Sequence, residues 1–209
     1  MNIQDKFDLH LSQLPLIGIL RGITPEKILT VGAALDQEGW GLIEIPLNSP
    51  DPIQSIALLA AHQPQSLVGA GTVLTPQQVR EVHAAGGQLV VSPNFDAAVV
   101  AEAQRRGLIC LPGVMTPSEA FAALACGAQG LKLFPAELIS PAALKALRAV
   151  LPQDTRLLPV GGITPDSMTS YRSAGASGFG IGSALYKPGM SADQVREQAR
   201  RFSQAWRLA

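Results

Sequence analysis

The sequence predicts an α/β protein, a single (β/α)8 TIM barrel over residues 1–209 with an extra N-terminal helix, and three observations lead to it. Short apolar runs of strand type alternate with helix-type runs eight times. The joints between them carry the same helix-opening chemistry again and again. The strand candidates are apolar on both faces, as parallel strands covered by helices must be.

In chain order, a polar helix around Asp5 to Gln13 comes first. The strand candidates are LIGILRG from Leu16, LIEIPLN from Leu42, SLVGAGT from Ser66, QLVVSP from Gln88, LICLPGV from Leu108, GLKLFP from Gly130, RLLPVGG from Arg156 and GFGIGSALY from Gly178. Six joints read Thr24-Pro25, Ser49-Pro50, Thr75-Pro76, Thr116-Pro117, Ser140-Pro141 and Thr164-Pro165. At a helix start the hydroxyl caps a free N–H, and proline in the first turn gives up no hydrogen bond. Gly39, Gly86, Gly107, Gly127 and Gly175 close helical runs, because glycine accepts the left-handed conformation that stops a helix. The competing architecture is an open doubly wound sheet. It lacks its dinucleotide fingerprint, since GFGIGS has Ser183 where the last glycine of G-x-G-x-x-G falls.

Composition narrows the function. Hydrophobic residues make up 47% of the chain, charged residues 15%, and the net charge is zero, so no electrostatic footprint for nucleic acid or an anionic membrane is present. Cys110 and Cys126 both sit in apolar segments and are expected to be buried, reduced thiols. The mixed-charge start MNIQDKFDLH does not read as a targeting segment, so none is expected, and no apolar run reaches the roughly 20 residues of a membrane span. A cytoplasmic protein is expected.

Barrel active sites lie at the C-terminal ends of the strands. Three charges stand there: Arg21, Glu44 and Lys132. With Leu131 and Leu133 facing the helices, strand alternation turns Lys132 inward, and Ile43 and Ile45 do the same for Glu44. Two readings follow. The pair can be a buried salt bridge, a weak stabilising device. Alternatively burial lowers the lysine pKa, yielding a neutral amine that attacks a carbonyl to form a Schiff base, with glutamate moving protons.

Glycine-rich ends add a second feature. Val160-Gly161-Gly162 and Gly180-Ile181-Gly182-Ser183 end the last two strand segments, where barrels often bind phosphate with backbone N–H groups; glycines that merely permit tight turns are the competing reading. Thr72 either binds a substrate carboxylate or caps the following helix, and Phe134 can wall the pocket beside Lys132. His10, His62 and His83 fall away from the strand ends, and the cysteines lack zinc spacing, so no metal site or Ser-His-Asp arrangement is read.

Taken together, ILRGITP, EIPLNSP, GAGTVLTPQQ, SPNF, LPGVMTPSEA, LKLFPAE, PVGGITP and GIGSALY resemble the 2-keto-3-deoxy-6-phosphogluconate and 6-phosphogalactonate aldolases over nearly the whole chain. The resemblance implies a class I aldolase acting on a phosphorylated keto acid, a homotrimer with no metal or organic cofactor. It matches Lys132 to the Schiff-base lysine and Glu44 to the general acid/base. Arg21, Thr72, Asn48, Pro93, Phe134 and Val160 fall at substrate-binding positions, and Gly161, Gly162, Gly182 and Ser183 at the phosphate site. Asn48 and Val160 stand where gluconate-type enzymes commonly carry arginine and threonine, which points to the galactonate type. The gluconate substrate and a non-catalytic phosphosugar-binding barrel are the alternatives.

Overall fold

The computed structural model describes residues 2–208. Its elements run α1 (Ile3–Gln13), β1 (Leu16–Ile19), α2 (Pro25–Asp36), β2 (Leu42–Pro46), α3 (Pro52–His62), β3 (Leu67–Gly71), α4 (Pro76–Ala84), β4 (Leu89–Val91), α5 (Ala97–Arg105), β5 (Ile109–Leu111), β6 (Gly113–Val114), α6 (Pro117–Ala125), β7 (Leu131–Leu133), a 3-10 turn (Ala136–Leu138), α7 (Pro141–Val150), β8 (Leu157–Pro159), α8 (Pro165–Ser173), β9 (Phe179–Ile181) and α9 (Ala192–Leu208). The fold is α/β, and every strand pairing is parallel.

The eight expected strands appear as nine segments in two sheets, ordered β5-β4-β3-β2-β1-β9 and β6-β7-β8. The extra segment has a local cause. Pro112 interrupts LICLPGV because it has no N–H to give the ladder, while its carbonyl accepts from Lys132 N at 3.0 Å. One stretch of chain thus ends the first sheet as β5 and opens the second as β6. At the other end, Val160 just past β8 makes a single parallel bridge to Gly180 of β9.

Most helix starts follow the expected chemistry. Thr75, Thr116 and Thr164 form capping boxes, and Ser140 accepts from Ala143 N. Thr24 precedes α2 without a side-chain cap bond. Ser49-Pro50 is a correction: α3 opens at Pro52 behind Asp51, and the Ser49 hydroxyl instead accepts from Gly22 N at 2.9 Å. The five stop glycines all have positive φ, from 67° to 106°. Cys110 is buried as expected, but Cys126 at the end of α6 is only half-buried.

Alternation sorts the apolar residues into two cores. Ile43, Ile45, Leu131 and Leu133 join the large core beneath the helices. Leu42, Leu67, Leu89, Ile109 and Leu158 form a smaller inner core together with Phe7 of α1. Four of those residues open or nearly open their strands, so α1 lies across the N-terminal ends and leaves the C-terminal ends free for a site. No helix among the described residues is long and apolar enough to cross a membrane.

Candidate active site

Past the C-terminal ends of β1, β7, β8 and β9 the chain encloses a cavity of about 710 Å³. Lys132 lies at its inner end, in the middle of β7, where Gly113 and Leu158 flank it in register. Its side chain points with the inner core, and Nζ lies 4.8 Å from the centre of the Phe134 ring, a cation–π distance. Glu44 occupies the middle of β2, beside Ile19 of β1 and Gly69 of β3.

Both groups are almost fully buried, Lys132 at 6% exposure and Glu44 at 2%. Yet among the described residues neither makes an ion pair, and no side-chain hydrogen bond reaches either. The salt-bridge reading of the pair is therefore set aside. Burial is the largest influence on each group. It lowers the Lys132 pKa, assisted by the positive charge of Arg21 and opposed by Glu44. It raises the Glu44 pKa against the pull of Lys132 and Arg21. Both move toward their neutral forms, which makes the lysine a better nucleophile and the glutamate a group that can both take and return a proton.

At the end of β3, glycine makes room for Glu44. A Cβ on Gly71 would lie 1.3 Å from Glu44 Oε2, so no other residue fits at the end of β3 while the carboxylate keeps this place. Sequence reasoning singled out GAGT for its hydroxyl and passed over that glycine. Thr72, next along, takes φ 57°, a conformation that is strained for a β-branched residue and of the kind that gathers at functional sites. It does not cap α4, which Thr75 does.

Arg21 lies two residues beyond β1 rather than at its end, and reaches the cavity from an exposed turn. Its Nη1 donates to Asn48 Oδ1 at 2.5 Å, so Asn48 holds the guanidinium without lining the cavity itself. Phe134, Val160, Gly161, Gly162, Gly182 and Ser183 all line it. Glu44, Thr72 and Pro93 do not; Glu44 sits below the lining, and the Pro93 carbonyl is packed where a side chain on Gly113 would stand. Gly161 and Gly162 have φ of 113° and 62°, conformations open to glycine. Glu137 and Lys187 also line the cavity and were not anticipated from the sequence. The signal for Glu137 was its place directly after LKLFPA, in the 3-10 turn that follows the lysine strand. Among the described residues no group of three His, Cys, Asp or Glu is gathered to hold a metal.

Comparison with known proteins places the chain as a whole. The family model for KDPG and KHG aldolase matches residues 7–199. A probable 2-dehydro-3-deoxy-6-phosphogalactonate aldolase of Rhizobium meliloti (strain 1021) is 48% identical, covering 93% of this chain and 92% of the relative. The 2-dehydro-3-deoxy-6-phosphogalactonate aldolase of Escherichia coli (strain K12) is 46% identical, covering 95% and 97%. A solved structure described as native KDPGal superposes with a TM-score of 0.92 at 44% identity, over 94% of this chain and 96% of that one. With a buried, unpaired lysine at the base of the cavity, the chain belongs to the KDPG and KHG aldolase family and is a carbon–carbon lyase.

Proposed function

We propose that this protein cleaves 2-dehydro-3-deoxy-6-phospho-D-galactonate to pyruvate and D-glyceraldehyde 3-phosphate. The observation that carries the reading is Lys132, an amine buried to 6% exposure, driven toward its neutral form and without an ion-pair partner among the described residues. The names of the similar proteins from R. meliloti and E. coli support the choice of substrate.

Lys132 Nζ attacks the C2 ketone, and loss of water leaves an iminium. Glu44, directly or through a water, takes the proton of the C4 hydroxyl, the C3–C4 bond breaks, and its electron pair passes into the iminium to give an enamine. The aldehyde phosphate departs. Glu44 returns its proton to C3, and water hydrolyses the resulting iminium to pyruvate and free lysine. The raised Glu44 pKa suits both proton steps. Arg21, oriented by Asn48, binds the substrate carboxylate, with Phe134 walling that end and Thr72 and Pro93 supporting it from outside the cavity lining. Gly161 and Gly162 ahead of α8, with Gly182 and Ser183 just past β9, receive the phosphate on backbone N–H groups. Val160 contacts the reacting carbons and offers no hydrogen bond to a C4 hydroxyl aimed at it, which favours the galactonate epimer.

At the level of architecture, residues 1–209 form one domain in which the Pro112 stretch and the Val160–Gly180 bridge join both sheets into a closed eight-stranded barrel. A cytoplasmic homotrimer with no cofactor completes the reading.

Borohydride reduction in the presence of pyruvate tests it. One pyruvate should become fixed to the peptide containing Lys132, as read by mass spectrometry. Labelling at another residue, or none, would overturn the assignment.

A further inference from the structure

Glu137 is the one carboxylate on the cavity lining among the described residues, facing a wall otherwise supplied with Arg21, Lys132 and Lys187. Its side chain rests on the glycine pair. A Cβ on Gly161 would lie 2.2 Å from Glu137 Oε2, and one on Gly162 2.8 Å from Glu137 Cγ. The backbone beneath it is fixed: Ala136 N donates to Val160 O at 2.9 Å, and the Tyr171 hydroxyl shares its one proton between Ala136 O and Ile139 O at 2.9 and 3.0 Å. The carboxylate itself makes no ion pair and accepts no side-chain hydrogen bond among the described residues, so no structural partner accounts for its position. A second sign of its reach is the Tyr171 phenol, held up by burial first and by the Glu137 charge second.

We propose that Glu137 is a specificity and release residue that limits how tightly the enzyme holds the phosphate of substrate and product. The inference rests on the assignment of phosphate to the glycine-lined end of the cavity. A phosphate entering there either swings the exposed carboxylate off Gly161 and Gly162 or lies beside it. Displacement costs the ordering of a new side-chain position, and coexistence sets like charges side by side. Either course weakens phosphate binding and leaves unphosphorylated molecules indifferent. The three-carbon phosphate product, which has no covalent tie to Lys132, is thereby released more readily.

Glu137→Gln in the full-length enzyme keeps the shape and removes the charge. KM for the phosphorylated substrate and the inhibition constant of inorganic phosphate should each fall about threefold to tenfold, the scale of one partly solvated charge acting on a dianion. KM for an unphosphorylated analogue should move by less than about twofold. The gain should shrink as salt rises, which a merely structural role does not produce. Glu137→Lys should carry both constants further in the same direction. Unchanged or weaker phosphate binding in Glu137→Gln overturns the inference. Ser183→Glu separates the levels: if it blocks phosphate inhibition while Glu137→Gln has no effect, only the role of Glu137 fails. If neither variant alters phosphate inhibition, the phosphate lies elsewhere and both readings fall.

Discussion

Lys6 and Lys132 are buried to almost the same degree, at 8% and 6% exposure, and are held in opposite ways. Lys6 reaches from α1 across the N-terminal ends of the strands, where Nζ donates to Pro64 O at 2.8 Å, Ser66 O at 3.4 Å and Gln88 Oε1 at 2.8 Å. All three donors of its ammonium are used. Lys132 stands at the opposite end of the same inner space and has no hydrogen-bond acceptor among the described residues. Burial lowers both pKa values. What differs is what surrounds the nitrogen: at Lys6 the acceptors hold the protons in place and fasten a helix, whereas at Lys132 no acceptor among the described residues does so.

The same substitution at both positions breaks the comparison most sharply. Lys132→Met should abolish the borohydride-trapped pyruvate adduct altogether, while its unfolding free energy stays level or rises, because an unpaired buried amine is replaced by an apolar chain of similar volume. Denaturant titration alongside the trapping assay reads both; an adduct that persists elsewhere on the chain sinks the chemical half of the argument.

Glu44→Gln tests the partner. Turnover should drop by about 10²-fold or more, the scale of general acid/base catalysis, with substrate binding retained. Because the Glu44 charge raises the Lys132 pKa, its loss lets that pKa fall further. The acid limb of adduct formation should then move to lower pH, the neutral amine persisting longer as protons are added. A limb that moves to higher pH contradicts this electrostatic account.

Lys6→Met should behave in the converse manner to Lys132→Met. Three acceptors at the foot of the sheet lose their donor, which costs about 1–3 kcal/mol of stability, and the folded fraction should trap pyruvate as well as before. Equal stability in the two Met variants would remove the distinction drawn between the lysines.

The finest effect concerns the wall above Lys132. Val160→Thr introduces a hydroxyl on the cavity wall and, on the proposed reading, should shift the ratio of kcat/KM toward the gluconate epimer. One hydrogen bond is worth about 0.5–1.5 kcal/mol, hence a few-fold to roughly tenfold change. A shift the other way, or none, shows that Val160 does not read C4.

What the amino-acid order settled by itself is whatever depends on near neighbours along the chain. Thr75, Thr116, Ser140 and Thr164 bond groups three residues on, so their helix starts could be read directly. Gly39, Gly86, Gly107, Gly127 and Gly175 stop helices through their own φ, again a local property. Two-residue alternation was enough to turn Lys132 and Glu44 inward, because the apolar neighbours on either side needed the helix-facing core. Tertiary structure decided what depends on residues far apart in sequence. Ser49 was expected to cap a helix from its neighbour Pro50, yet it serves Gly22 N, 27 residues away. Asn48 became the holder of Arg21 at the same separation. Gly71 is required by the buried Glu44 carboxylate, and Glu137 comes to rest on the Gly161-Gly162 pair, neither of which a local pattern can signal. Even the absence of a salt bridge between Lys132 and Glu44 had to wait for the fold, since alternation sets the direction of a side chain while packing alone sets how near two of them come.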